Sequence, residues 1–170
     1  MEEEKKQNFL WKELGYLLLK IGFLAVVILI MFTCFFGIFR ADDNSMKPAV
    51  KDGDLVITWR IQKNYQAGDV IVLENGGKKE IRRVIAVAND TVDFTEEGMA
   101  LNGYLQQENE IYSETLPYVD GAVFPLTVEE GEVFVLADER ENAMDSRIYG
   151  TIDIDKTYGK VMTIIRQRGI

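Results

Sequence analysis

Ile21-Gly22-Phe23-Leu24-Ala25-Val26-Val27-Ile28-Leu29-Ile30-Met31-Phe32-Thr33-Cys34-Phe35-Phe36-Gly37-Ile38-Phe39 is a 19-residue run without a charge. Wound as a helix at 1.5 Å per residue, it spans about 28 Å, close to a hydrocarbon core of about 30 Å. Core helices of soluble domains are rarely uncharged for so long. The run therefore predicts one transmembrane anchor over 21–39, with a short segment, 1–20, before it and a folded domain, 41–170, after it. Lys5, Lys6, Lys12 and Lys20 precede the run, whereas Arg40, Asp42 and Asp43 follow it. The positive-inside rule counts lysine and arginine, so it predicts a single-pass cell-membrane protein with a cytoplasmic N-terminus and residues 41–170 extracytoplasmic. The run exceeds the apolar stretch of about 7–15 residues in a cleavable signal, and no Ala-x-Ala site follows it, so the anchor is expected to stay uncleaved. Cys34, preceded by Thr33, is read as a small packing residue within the anchor.

Composition narrows the function classes. The chain has 170 residues, a net charge of −9 and no histidine. Five Lys/Arg against four Glu give +1 through residue 40, so the remainder carries −10 of that total. Such a domain is repelled by nucleic acid and by anionic headgroups. The single cysteine lies in the anchor, which leaves neither disulfides nor a cysteine nucleophile beyond it. Without histidine or clustered cysteine no zinc site is expected, and no EF-hand loop is present. Neither metal nor cofactor is expected.

Beyond the anchor the pattern is mostly two-residue alternation with β-branched runs. Strands are predicted at Asp54–Trp59, Asp69–Leu73, Lys79–Val87, Thr91–Phe94, Met99–Leu101, Glu132–Leu136 and Gly159–Ile165. Asn75-Gly76-Gly77 reads as a hairpin turn, because glycine relieves the positive-φ requirement. No amphipathic helix, linker or repeat interrupts this pattern, so one all-β domain is expected directly on its anchor.

Three segments carry chemistry, in order. Asn44-Ser45-Met46-Lys47-Pro48, followed by Asp52-Gly53-Asp54, resembles the nucleophile region of type I signal peptidases of the Gram-positive type. Arg83-Val84-Ile85-Ala86-Val87-Ala88-Asn89-Asp90-Thr91-Val92 resembles that family's Arg-Val-Ile-Gly-Leu-Pro-Gly-Asp-x-Val segment. Asp138-Glu139-Arg140-Glu141-Asn142-Ala143-Met144-Asp145-Ser146-Arg147 resembles its Asp-Asn-Arg-x-x-Ser-x-Asp-Ser-Arg segment. The resemblance implies an all-β catalytic-type domain of the signal peptidase kind behind one N-terminal transmembrane helix. It also implies an extended precursor polypeptide as substrate, with Ser45 at the nucleophile position and a lysine as base. A lysine base must be desolvated and supported by a hydroxyl, since its ordinary pKa of about 10.4 leaves it protonated. Asp138, Arg140, Asp145 and Arg147 match positions of structural support.

The departures concern the base. The family's lysine position holds Arg82, and guanidinium, with a pKa above about 12, accepts no proton in a protein. The serine that supports the lysine is replaced by Ala143. Ala137, Ala88, Asn89 and Glu139 are milder changes. Among the nearby lysines, Lys79 alternates to the strand face opposite Arg82. Lys78 shares that face about 13 Å away, and Lys47 occupies the variable place of Ser-Met-x-Pro. All three read as surface charges.

Ser45 itself could be an ordinary turn serine, and Arg82 a solvent-facing strand arginine. The favoured expectation is a dyad-defective member that binds polypeptide, similar to signal-peptidase-like proteins that lack the dyad and assist pilus assembly, with pilins and sortase as partners. The alternative is an active signal peptidase using Ser45 with an unconventional base. A third reading is an anchored β domain whose cleft is unused.

Overall fold

A computed structural model describes residues 2–106, 115–141 and 143–166 of the chain. It divides between Phe36 and Gly37 into two compact units. The first is essentially a single helix, α1 (Glu2–Phe35). Glu, Lys and Leu are good helix formers and no proline interrupts this stretch, so α1 begins well before the charge-free run. Its stretch Phe9–Phe35 is long and apolar enough to cross a membrane. Phe23, Leu24, Leu29 and Phe32 are exposed along it. The expected span ran to Phe39, but Phe36–Arg40 form strand β1 instead. Gly37 lowers helix propensity there, and Phe39 turns inward to stack on Tyr158 with ring centroids 5.1 Å apart.

The second unit is built on two sheets. The larger one orders its strands β1, β2 (Leu55–Trp59), β11 (Thr157–Ile165), β3 (Val70–Asn75), β4 (Lys78–Val87), β9 (Glu132–Leu136) and β10 (Ile152–Asp153). From β2 to β10 every pairing is antiparallel. The smaller sheet orders β7 (Tyr104–Leu105), β6 (Gly98–Leu101), β5 (Thr91–Thr95) and β8 (Leu126–Thr127). The seven strands expected from alternation are all present. The two-residue strands β7, β8 and β10 are too short for periodicity to register. A four-residue helix, α2 (Ser146–Tyr149), and the 3-10 turn Ile154–Lys156 are additions.

Turn chemistry fixes the register of β3 and β4. Gly76 and Gly77 both take positive φ, 56° and 77°, as a two-residue type I′ hairpin requires. Pairing then runs without slippage from Asn75↔Lys78 to Val70↔Arg83. Asn89, where the family pattern has glycine, adopts φ 73°, a region that asparagine tolerates better than most residues.

Three apolar clusters form the core. One joins Ile71, Leu73, Val84, Val133 and Val135. Another joins Met46, Val50, Val56 and Val72. The third places Ala86, Phe134 and Leu136 against Val92 and Met99 of the smaller sheet. Gly159 marks the point where β11 shifts register against β3. Its φ is 121°, and a Cβ there would lie 2.1 Å from the Trp59 carbonyl oxygen. Gly159→Ala is therefore expected to cost about 2 kcal/mol or more, seen as a lower midpoint in chemical denaturation.

Candidate functional site

Ser45 lies in the turn between β1 and β2. Buried Met46 and Val50 anchor that turn in the core, and the Val50 N–H donates to the Met46 carbonyl at 2.8 Å. The Glu139 N–H donates to the Ser45 carbonyl at 2.8 Å, tying the turn to the 138–147 segment. The Ser45 hydroxyl donates to Asp43 Oδ1 at 2.6 Å, and the Ser45 backbone N–H donates to the same oxygen at 2.9 Å.

Arg82 projects from β4 onto this serine and is 2% exposed, so it is not a solvent-facing strand residue. Its Nη1 donates to Ser45 Oγ at 2.9 Å and to the Ile81 carbonyl at 2.7 Å. Nε and Nη2 both reach the Met144 carbonyl, at 3.0 and 2.7 Å. Nη2 also meets Glu80 Oε2 at 3.2 Å, an ion pair without hydrogen-bond alignment. The guanidinium thus joins β4, the serine turn and the Met144 backbone at one point. Burial pushes the Glu80 carboxyl above its ordinary range, and the Arg82 charge opposes that rise. Burial likewise raises the Tyr149 phenol well above its usual value, again against Arg82, so Tyr149 stays neutral.

The 138–147 segment is held by ion pairs. Asp138 takes a bidentate contact from Arg83, Nε to Oδ1 at 2.7 Å and Nη2 to Oδ2 at 2.6 Å. Arg147 grips Asp145 through Nε and Nη2, each at 2.9 Å. It also donates to the carbonyls of Arg140 and Leu116. Asp145 caps α2 as well, accepting from the Arg147 N–H. Arg140 is buried and donates to Thr115 Oγ1 at 2.8 Å. Ala143 is buried beside the site and contributes no hydroxyl; its neighbour Asn142 lies outside the described residues.

An open cleft of about 660 Å³ is lined by Ser45, Glu80, Arg82, Glu139 and Met144 together with Lys47, Lys78 and Lys79. Regular β3–β4 pairing keeps Lys78 four residues from Arg82, with no bulge to shorten the gap. Lys79 places its ammonium over the Phe39 and Tyr158 rings, 5.1 Å from each centroid. Among the described residues no cluster suited to a metal ion occurs. Sequence reasoning passed over Asp43 and Glu80 as site members. Asp43 stands two residues before the serine, the spacing of a side chain that accepts a turn N–H. Glu80 shares the Arg82 face by strand alternation.

The sequence is similar to those of known proteins. The family described as signal peptidase, peptidase S26, matches residues 14–166. A signal peptidase I of Bacillus licheniformis is 27% identical, over 94% of this chain and 91% of its own length. A signal peptidase IB of Staphylococcus aureus is 30% identical, over 69% of this chain and 71% of its own length. A crystal structure of a signal peptidase I from Enterococcus faecalis is similar, with a TM-score of 0.48 and 25% identity, covering 59% of this chain and 97% of that one. The chain belongs to the signal peptidase family of peptidase S26. Membership implies a precursor protein as the substrate class.

Proposed function

We propose that this chain is a membrane-anchored member of the family that receives extended precursor polypeptides in the Ser45 cleft and does not hydrolyse them. The observation that carries this reading is the Arg82 Nη1–Ser45 Oγ contact of 2.9 Å. A donor occupies the place where a base must accept the serine proton, and guanidinium cannot exchange that role. Ala143 supports the reading, since no hydroxyl is left there to orient a lysine. Backbone pairing with an extended segment supplies affinity without chemistry. Secreted or surface precursors, such as pilin subunits on their way to a sortase, suit that role. The lysines before the apolar run support a cytoplasmic N-terminus and an extracytoplasmic β domain.

One observation favours a second reading, an active signal peptidase with an unconventional base. The Ser45 hydroxyl already donates to Asp43 Oδ1 at 2.6 Å. A carboxylate is, however, a weak acceptor for a serine proton. The test is incubation of a pre-protein bearing an Ala-x-Ala site with the detergent-solubilised chain and with its Ser45→Ala variant. Neither is expected to cleave, while both cross-link to the precursor. Cleavage by the wild type that vanishes in Ser45→Ala overturns the binding reading.

A further inference from the structure

Two carboxylates enclose the Ser45–Arg82 pair. Glu80 projects from the same face of β4 as Arg82, with Oε2 3.2 Å from Nη2 and only 13% of its side chain exposed. Asp43 Oδ1 receives both the N–H and the O–H of Ser45, at 2.9 and 2.6 Å. We infer that Glu80 and Asp43 are positioning residues that fix the charge state of this site: they hold any cation at position 82 protonated and keep the Ser45 N–H occupied. A lysine and serine restored at 82 and 143 would therefore regain hydrolysis only once both carboxylates are neutralised. The inference rests on the non-hydrolytic reading and extends the loss of function beyond Arg82 and Ala143.

The two carboxylates act on different parts of the reaction. A lysine base needs its neutral form, and at its ordinary pKa only about 0.4% is neutral at pH 8. An opposite charge within about 4–6 Å favours the ammonium further, by roughly one to three pKa units. Glu80 lies within that distance of the guanidinium. Asp43 acts on the other half. The backbone N–H of an attacking serine is a ready donor to the oxyanion that forms beside it. Here that N–H is taken by a carboxylate, which would also repel the developing negative charge.

The remaining neighbours do not relieve this arrangement. From α2, Tyr149 faces Glu80 and Arg82 as a neutral phenol, and Asp145 ahead of that helix is already paired with Arg147. From the 138–147 segment, Glu139 and Glu141 line the cleft. Lys47, Lys78 and Lys79 also line it, the last engaged with aromatic rings.

The test uses the full chain in detergent micelles with 13C-labelled lysine side chains. Arg82→Lys with Ala143→Ser is compared with the same pair plus Glu80→Gln and Asp43→Ala. The amine introduced at position 82 is expected to titrate at or above the ordinary lysine value in the first protein and roughly one to three units lower in the second. Cleavage of the Ala-x-Ala pre-protein is expected only in the second, with a pH profile that follows the measured titration. Glu80→Asp, which keeps the charge, should leave the titration high, and thermal unfolding confirms that each variant is folded. An unchanged titration point overturns the inference, as does equal cleavage by both proteins or a folded four-substitution variant that stays inactive. Wild-type cleavage lost in Ser45→Ala would instead sink the reading beneath it, so the two failures are distinct.

Discussion

Replacing Arg147 with methionine is expected to destabilise the β domain by about 3–5 kcal/mol, the usual loss when one member of a buried ion pair is removed. Asp145 is fully buried and Arg147 is 2% exposed, so the carboxylate left behind has no water to turn to. The same substitution strips the Arg140 and Leu116 carbonyls of their donor. Chemical denaturation of the detergent-solubilised chain measures the loss. Adding Asp145→Asn should recover part of it by removing the stranded charge. Full recovery is not expected, because Asp145 also caps α2 and accepts the Ala137 N–H at 3.2 Å. A loss below about 1 kcal/mol, the scale of an exposed pair, would show that the pair is not buried as described.

Arg82→Met is the second large effect, expected to cost about 3 kcal/mol, the low end for a broken buried pair because Glu80 keeps some exposure. Four hydrogen bonds and one ion pair end on that guanidinium. The deficit should depend on pH in a defined direction. Burial already raises the Glu80 pKa and Arg82 opposes it, so losing Arg82 raises it further. A carboxyl whose folded pKa is raised contributes stability that is fully present below its unfolded pKa and is lost as pH rises through the folded one. The deficit of Arg82→Met should therefore be smaller near pH 4 than near pH 8. Equal deficits would place the loss in the Met144, Ile81 and Ser45 contacts alone.

The β domain was legible where alternation or a β-branched run extends over three or more residues, and the turn between β3 and β4 was legible because consecutive glycines reach the positive φ that a tight hairpin requires. What alternation does not encode stayed hidden. Phe36–Arg40 continues the apolar character of the anchor without a charge until Arg40, and only the inward packing of Phe39 shows that the helix has ended. At the site, the motif resemblance assigned Ser45 and Arg82 to the nucleophile and lysine positions, and their contact is seen only in the structure. The commitments of Arg82 depend on which carbonyls surround it, and the Met144 and Ile81 oxygens leave no trace in side-chain identity. Glu80 and Asp43 were passed over because their importance lies in distance, not in residue type.

The place of β11 has a consequence for assembly. Residues 157–165 insert between β2 and β3, and Thr58 hydrogen-bonds the Tyr158 carbonyl across a sequence separation of 100. Until that stretch arrives, two strand edges stand open and the β1–β2 pair has no sheet in common with β3 and β4. Closing so long a loop is slow relative to local pairing. On the proposed topology the emerging chain would stay extended enough to thread a translocation channel, and would collapse into its final shape only after residues 157–165 had crossed.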